Sequence, residues 1–362
     1  MKFKIGTMKN SSPKIRLIFA ALLLLFVAFL SSQVVLAQTM RTITDMAGRK
    51  VQIPGKVSSI YVNNHCAIMV YAFDQAIAVN KVKLSGDYPS RFFTREFLDK
   101  PYTEGNAEEI IKLHPDIVLT ADEISLQSTD RANKLQEKIK IPVVILDLNM
   151  LKYKEVFALV GAIISQPKKA QELIDFVSTY IDPIELRAKQ IPEKDKVKVY
   201  YAEGLDGLST EPSGSKHSQI LDFIGANNVA KVEIATGTGL SQASIEQLLI
   251  WQPEVILVWT GSADKLVTYK HIRADPIWNT LTALKNKKVY QIPWQPFGWF
   301  DRPPGINRIL GIIWTANLLY PEIFKYDMVK VAQEYFRKFY HYNLSVSEAK
   351  MLLSPESNSQ NN

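Results

Sequence analysis

The sequence predicts an α/β protein made of two similar lobes joined by one long helix. A helix–proline–strand unit occurs twice, as NAEEIIKLHPDIVLT at residues 106–120 and as SIEQLLIWQPEVILV at residues 244–258. Between the two copies, residues 168–189 have helical spacing and are rich in Ala, Glu, Gln and Lys. Because each copy supplies one helix and one strand of a parallel sheet, two copies on either side of a helix indicate two lobes.

Each unit carries its own start and stop signals. It opens with a helix N-cap residue, Asn106 or Ser244, and a Glu or Gln follows three residues later, as a capping box requires. A proline, Pro115 or Pro253, ends the helix. The apolar run after the proline is typical of a parallel strand that is buried on both faces. We therefore expect each helix to run antiparallel to the strand that follows it.

The other elements are predicted from apolar periodicity and from turn residues. The first is a hairpin over residues 42–53 that turns at Ala47-Gly48. Pro183 is expected to interrupt the helix over residues 168–189. Beyond the twin units, strands are predicted at 57–62, 76–80, 143–146, 197–201 and 289–292, and helices at 67–73, 129–139, 151–164, 215–224, 307–319 and 329–339.

The amino-terminal segment is typical of a cleavable secretory signal. Residues 1–37 contain five Lys and Arg residues and no acid, and the apolar stretch at 17–30 is short for a membrane span. We expect cleavage after Ala37, which leaves a mature chain that starts at Gln38. A retained amino-terminal anchor is the alternative. The segment has no cysteine near the cut, so a lipid attachment site is not predicted.

Charge and cysteine content narrow the class of protein. The net charge is +7, but five of the 43 basic residues lie in the signal, which leaves 38 basic and 36 acidic residues. The basic excess is therefore no indication of nucleic-acid binding. The single cysteine, Cys66, cannot form an intrachain disulfide, and we expect it to be buried as a small apolar side chain. An exported protein without disulfides suits a Gram-negative periplasm.

Three further segments, together with the twin units, match one known family. They are TITDMAGR at residues 42–49, GSKHSQILDFIGANN at 214–228 and INRILGIIWTANLLYPE at 306–322. With these segments in this order, the chain resembles the periplasmic substrate-binding proteins of ABC importers for ferric siderophores, haem and cobalamin. The resemblance covers nearly the whole mature chain. It implies two Rossmann-like lobes joined by one rigid helix, a ligand between the lobes, and delivery to an inner-membrane ABC permease.

On this basis the chain divides into five parts. They are a signal peptide at 1–37, an N-terminal α/β lobe at 38–164, a connecting helix at 165–192, a C-terminal α/β lobe at 193–353 and a disordered tail at 354–362. The resemblance also implies two permease-docking glutamates, seven residues before each proline, which here are Glu108 and Glu246. Both are expected at exposed helix N-termini beside the ligand edge of a sheet. The alternative is that both glutamates only complement the helix dipoles.

The ligand is expected where strand ends and aromatic loops meet. The strand ends are residues 63–65, 120–122, 201–203 and 259–261, and the loops are 88–93 and 294–302. Aromatic rings suit a flat, partly apolar chelate, and guanidinium groups match carboxylate or catecholate oxygens. The candidate ligand-binding residues are His65, Tyr88, Arg91, His217, Trp259, Trp299, Phe300 and Arg302.

Each of these candidates has a structural alternative. His65 and His217 could complete the coordination of a metal, or each could be a histidine without a ligand role. Trp299 and Phe300 could be core residues, and Arg302 could form a salt bridge within its loop.

The resemblance, together with the aromatic and basic loops, implies a periplasmic protein that binds a metal chelate, most specifically a ferric siderophore, with haem, cobalamin or a nickel chelate as alternatives. A bare metal ion fits less well, because the five histidines are scattered and no cluster has metal-ligand spacing. An exported enzyme is the alternative from another class, but the sequence has no nucleophile elbow, P-loop or dinucleotide fingerprint. The single cysteine disfavours a redox or metallochaperone role. We therefore expect no catalytic residue, no cofactor and a monomer.

Overall fold

The computed structural model describes residues 39–354, apart from residues 64–65, 82–89, 148, 236, 238, 262–263 and 303–304. The predicted signal peptide, and the predicted tail beyond Ser354, lie outside these residues. Within the described part of the chain, no helix is both long enough and apolar enough to cross a membrane.

Two parallel sheets form the centre of the molecule, one in each half of the chain. The strands are β1 Met40–Thr44, β2 Lys50–Pro54, β3 Ile60–Val62, β4 Ile117–Asp122, β5 Val143–Asp147, β6 Lys198–Ala202, β7 Ser209–Thr210, β8 Asn227–Asn228, β9 Ser241–Gln242, β10 Val255–Val258 and β11 Val289–Gln291. The first sheet has the order β3-β4-β5 and the second the order β11-β10-β6-β8, with all neighbours parallel. Antiparallel pairing joins β1 to β2 and β7 to β9. The predicted α/β class is confirmed.

Helices connect these strands and cover the sheets. They are α1 Ala67–Tyr71, α2 Arg95–Leu98, α3 Ala107–Lys112, α4 Leu126–Ile139, α5 Tyr153–Ile163, α6 Pro167–Ala188, α7 Gln219–Phe223, α8 Ile245–Trp251, α9 Val267–Ala274, α10 Thr282–Lys285, α11 Asn307–Leu319, α12 Met328–Phe339 and α13 Val346–Leu353. Alternate residues of β10 belong to two core clusters, Val255 and Leu257 to one, Ile256 and Val258 to the other. Both faces of this strand are therefore buried, as its unbroken apolar run predicts.

The twin units have similar helix starts. The side chain of Asn106 accepts a hydrogen bond from the Glu109 amide at 2.9 Å, and that of Ser244 accepts one from the Gln247 amide at 3.3 Å. The second unit completes its capping box, because the Gln247 side chain accepts from the Ser244 amide. In the first unit the Glu109 carboxylate accepts from the amide of Gly105 at 3.2 Å. The Glu109 carboxylate therefore bonds to the amide of the residue before the N-cap Asn106, and not to the N-cap amide itself as a capping box predicts.

In both twin units a left-handed residue lies directly before the proline that follows the helix. His114 precedes Pro115 with φ of 48°, and Gln252 precedes Pro253 with φ of 45°. A proline disfavours the right-handed helical conformation of the residue before it, so that residue leaves the helix. The turn brings the chain directly into β4 or β10, and it places each helix N-terminus near the carboxyl edge of its sheet.

Helix α6 is continuous, which differs from the predicted interruption. It runs from Pro167 to Ala188 with Pro183 inside it. Pro183 removes only one amide donor from the helix, and buried residues on either side of it, such as Ile181 and Ile184, hold the helix against the core.

The last two helices pack against the first half of the chain, although the prediction counted them in the C-terminal lobe. Phe92 lies with its ring centroid 5.0 Å from that of Phe336 on α12, and Arg91 forms an ion pair with Glu348 on α13 at 3.4 Å. Lys169 on α6 donates to the carbonyl of Lys338 at 2.9 Å. The two halves of the chain are therefore joined by more than the connecting helix.

Two local predictions were wrong in detail. Residues 76–80 contribute only a single bridge, between Ala78 and Ile60, and not a strand. The segment 215–224 is helical only at Gln219–Phe223, since the residues before it form turns around Ser215. Cys66 is fully buried, as predicted, and burial raises the pKa of its thiol.

Candidate ligand site at the carboxyl edge of the second sheet

The carboxyl edge of the second sheet gathers a set of charged and aromatic side chains. Glu203 follows the last residue of β6, and Trp259 follows the last residue of β10. The strand β11 leads into the loop that ends at Arg302. Because parallel strands end at the same edge of a sheet, these three segments converge there.

The guanidinium of Arg302 holds two buried carboxylates together. Its Nε lies 2.7 Å from Oε1 of Glu203, and one terminal nitrogen lies 2.7 Å from Oε1 of Glu211. Both glutamates are fully buried, with 0% of their surface exposed. Arg302 also lies over the ring of Trp259, with its central carbon 5.2 Å from a ring centroid. We call Glu203, Glu211, Asp301 and Arg302 the Arg302 cluster.

Neighbouring residues hold the carboxylate of Glu211 in place. Its carboxylate accepts from the Ser215 hydroxyl at 2.6 Å and from the Leu240 amide at 2.7 Å. The residue before Leu240 is Gly239, which has φ of 78°. A Cβ atom at this position would collide with the Glu211 carboxylate, so only glycine allows the loop to approach it.

Three carboxylates share the charge of one guanidinium in the Arg302 cluster. Burial raises the pKa of Glu203 to about 8; Asp301 and Glu211 add to this shift, and Arg302 opposes it. A carboxyl with such a pKa retains a proton near neutral pH. The cluster therefore limits its own buried negative charge by keeping Glu203 protonated.

Asp301 also orients a histidine. Its carboxylate accepts from the hydroxyl of Tyr201 at 2.8 Å, and its other oxygen lies 2.7 Å from Nδ1 of His217. Asp301 is 2% exposed, and the side chain of His217 is 11% exposed. The aspartate fixes the rotation of the imidazole and favours a proton on Nδ1.

The second ring nitrogen of His217 has no such partner. Its Nε2 is buried and has no hydrogen-bond partner among the residues that the structure describes. An unsatisfied buried polar atom is uncommon in proteins and indicates a water, an ion or a ligand. Outside the undescribed gaps, no three His, Cys, Asp or Glu side chains are grouped so that they could hold a metal ion by themselves.

A model of the family described as periplasmic binding protein matches residues 100–296. The chain belongs to this family. Its general function is that of the substrate-binding protein of an ABC transporter, and its fold is the two-lobe fold of this family.

Individual relatives span most of the chain. The molybdate-binding protein MolA of Haemophilus influenzae is 28% identical over 345 residues, which cover 88% of this chain and 95% of MolA. The iron-uptake system-binding protein of Bacillus subtilis is 25% identical over 58% of this chain and 66% of its own. The solved structure of an ABC transporter solute-binding protein from Sulfurospirillum deleyianum is 30% identical and superposes with a TM-score of 0.78 over 86% of this chain and 98% of that one. Family relatives therefore carry different ligands.

The predicted ligand residues have different surroundings in the structure. His217 and Trp259 lie at the carboxyl edge, as expected. Arg302 is there too, but its guanidinium binds carboxylates from two other segments of the chain, and not only a partner within its own loop as the salt-bridge alternative predicted. His65 and Tyr88 lie outside the described residues. Arg91 pairs with Glu348 on α13 and lies over the ring of Phe92.

Two predicted wall residues belong to the core. Trp299 is 0% exposed and Phe300 is 1% exposed. The indole nitrogen of Trp299 donates to the carbonyl of Gln295 at 2.8 Å, and the ring of Phe300 packs on that of Tyr201. Both rings therefore pack in the core beneath the loop. The prediction that they form a wall of the ligand site is wrong.

The predicted docking glutamates occupy equivalent positions. Glu108 is the second residue of α3 and Glu246 the second residue of α8, and both are exposed. A hydrogen bond with Ser244 lowers the pKa of Glu246. Each glutamate thus presents a carboxylate to solvent at the start of its helix.

Two cavities lie near the sheets. One of about 180 Å³ lies at the carboxyl edge of the first sheet and is lined by Tyr61, Asn63 and Thr120 among others. A larger one, of about 680 Å³, opens at the amino edge of the second sheet around Lys198 and Glu254. The smaller cavity includes two predicted strand-end residues. The larger one includes none of the candidate residues, and we give it no role in ligand binding.

Sequence reasoning missed Glu211 and Asp301 as site residues. Their partners lie 91 and 84 residues away in the sequence, at Arg302 and His217, so no local pattern reveals them. Asp301 was open to prediction, because it lies beside Arg302 in a loop already expected at the ligand edge.

Proposed function

We propose that this protein is a periplasmic carrier that captures a metal chelate, most specifically a ferric siderophore, and delivers it to an inner-membrane ABC permease. The observation that carries this proposal is the Nε2 atom of His217, which is buried, held in orientation through Asp301 and unpartnered among the described residues.

The geometry of His217 suits a ligand that brings most of its own metal donors. An imidazole whose Nδ1 proton is held by a carboxylate presents a lone pair at Nε2, the arrangement typical of metal-ligating histidines. A single imidazole cannot hold a metal ion alone, and the described residues offer no group of three donors around it. A chelate with one open or exchangeable position needs only one such donor.

Molybdate is the second candidate, favoured by the relative that is 28% identical over 88% of this chain and is named as molybdate-binding. An oxyanion cannot accept a hydrogen bond from Nε2 unless that atom is protonated. A contact between molybdate and Nε2 would therefore need a proton on that nitrogen, whereas coordination of a metal needs its lone pair.

A titration panel tests the proposal. The purified protein is titrated by calorimetry with ferric citrate, a ferric catecholate siderophore, haem, cobalamin, nickel–histidine and sodium molybdate at neutral pH. We expect saturable binding of one ferric chelate without turnover. Saturable binding of molybdate alone would contradict the chelate proposal and support the second candidate.

The proposal also includes docking to the permease and export to the periplasm. Glu108 and Glu246 offer one exposed carboxylate in each twin unit, which suits two basic patches on a permease with two similar subunits. The basic and apolar residues over 1–37 support export through a cleaved signal. Mass spectrometry of the periplasmic fraction should find a species that starts at Gln38, and a species that retains residues 17–30 would contradict export by cleavage.

A further inference from the structure

A second buried cation lies close in sequence and structure to the His217 segment. Arg308, in the first turn of α11, is 3% exposed. One of its terminal nitrogens donates to the side-chain oxygen of Gln219, two residues after His217. Its Nε is buried and has no hydrogen-bond partner among the described residues.

Arg308 lacks the kind of charge partner that two partly buried arginines have. Arg49 forms an ion pair with Asp45 at 2.8 Å, and Arg302 binds Glu203 and Glu211. Among the acidic residues that the structure describes, none forms an ion pair with Arg308. A buried charge without a counter-charge is strongly unfavourable, so proteins pair such groups or supply an ion.

The position of Arg308 is at the seam between the two halves of the chain. Its backbone amide donates to the carbonyl of Gly305 at 3.1 Å, and that same carbonyl accepts from the hydroxyl of Tyr153 at 2.8 Å. Tyr153 begins α5 in the first half. Burial raises the pKa of this tyrosine, and the charge of Arg308 opposes the shift. The start of α11 at Arg308 therefore meets a side chain of the first half through the Gly305 carbonyl.

We propose that Arg308 is the counter-charge for an anionic oxygen of the transported ligand, bound at the seam between the halves. This inference rests on the proposed carrier function and deepens it, since it assigns the ligand a negative charge. Nε2 of His217 and Nε of Arg308 are both buried and lack a hydrogen-bond partner among the described residues, and Arg308 binds Gln219, two residues after His217. The first suits a metal, and the second suits a carboxylate, phenolate or tetrahedral oxyanion that accompanies it.

A charge-removing substitution separates this role from a purely structural one. Arg308→Met keeps the length of the side chain and removes the charge. We expect the ligand-free variant to melt at the same temperature as the wild-type protein or higher, because an uncompensated charge has been removed. Affinity for ferric citrate and for molybdate, whichever the wild-type protein binds, should fall about tenfold or more.

Gln219→Leu is the matched control. It removes the hydrogen bond that Arg308 makes in the structure but keeps the guanidinium, and we expect it to retain the affinity of the wild-type protein within about threefold. If Arg308 serves only to bind Gln219, both variants should melt lower and bind equally well, and that result overturns the proposal. If Arg308→Met does not fold, Arg308→Gln carries the test: it removes the charge but keeps a polar group near Gln219, so weaker binding supports the proposal and retained binding overturns it.

The outcomes also separate this inference from the proposed function. Binding that survives Arg308→Met but not His217→Ala overturns the role of Arg308 alone. Binding that is lost in Arg308→Met but kept in His217→Ala supports the anion site and contradicts metal contact by His217. A wild-type protein that binds neither ferric citrate nor molybdate, nor any other member of the titration panel, overturns both.

Discussion

The Nε atom of Arg302 lies 2.7 Å from a carboxylate oxygen of Glu203, and that glutamate is fully buried. The sequence suggested an arginine that reaches toward a ligand, but the structure shows one whose charge is shared among carboxylates of its own chain. The Arg302 cluster therefore supports the loop at the carboxyl edge and positions Asp301 to hold His217.

The pH dependence of stability should report the proton on Glu203. Its pKa is raised to about 8 in the folded protein, above the ordinary value of 4.5. A raised pKa means that the folded state binds the proton more tightly, so this contribution is fully present below about pH 4.5 and is lost as the pH rises through 8. Glu203→Gln should flatten the fall in the free energy of unfolding between pH 5 and 8.

Urea denaturation of both proteins at several pH values measures this difference, which should be on the order of a few kcal/mol across the range. If the free energy of unfolding falls equally with pH in the wild-type protein and in Glu203→Gln, Glu203 does not carry the proton.

Removal of the Arg302 charge should be severely destabilising. Arg302→Met leaves Glu211 buried without its cation and removes a hydrogen bond to Glu203, and a buried pair that loses one partner costs about 3–5 kcal/mol. Arg91→Met is the control, because its ion pair with Glu348 is exposed and is worth less than about 1 kcal/mol. Chemical denaturation checks both. If both variants lost a similar free energy of unfolding, the Arg302 cluster would contribute no more to stability than the Arg91 ion pair does.

The twin glutamates should matter for transport and not for folding. Glu108→Ala and Glu246→Ala should each change the free energy of unfolding by less than about 1 kcal/mol and leave ligand affinity unchanged, because both carboxylates are exposed and neither belongs to the candidate site. Uptake by cells should fall, more in the double variant than in either single one, and more still with Lys at both positions. Glu137→Ala, an exposed glutamate on α4, is the control. Normal uptake by the double variant would leave the two glutamates with a helix-capping role only.

The lobes should move little on binding. Helix α6 is unbroken, and the halves also meet through α12, α13 and the hydrogen bond from Tyr153 to Gly305. A hinge motion would need to break these contacts together. Small-angle scattering profiles with and without ligand should nearly superimpose. A clear decrease in the radius of gyration on binding would contradict this expectation.

The sequence predicted the elements whose signals are local. Capping residues and prolines mark α3 and α8, and the apolar runs mark β4 and β10, because a helix start or a buried strand depends on a few neighbouring residues. The equivalent positions of Glu108 and Glu246 follow from the same local pattern. The predicted break at Pro183 failed because tertiary packing outweighs one lost hydrogen bond.

The site was predicted less well, because it depends on pairing between distant segments. Aromatic residues in a loop can contact a ligand or pack in the core, and the sequence is the same in both cases. The residue types of Trp299 and Phe300 therefore could not show which of the two applies. Arg302 and Arg308 are six residues apart and look alike in the sequence, yet one is bound by two glutamates and the other has no described carboxylate partner. Only the fold distinguishes them.

The absorption spectrum of a bound ferric chelate tests the central claim most directly. The chelate that binds best in the titration panel is added to the wild-type protein and to His217→Ala, and the charge-transfer band of the iron is recorded. If His217 contributes Nε2 to the metal, the band should shift on binding to the wild-type protein, whereas the variant should bind about tenfold or more weakly and without the shift. Equal affinity and an identical spectrum in the two proteins would contradict metal contact by His217.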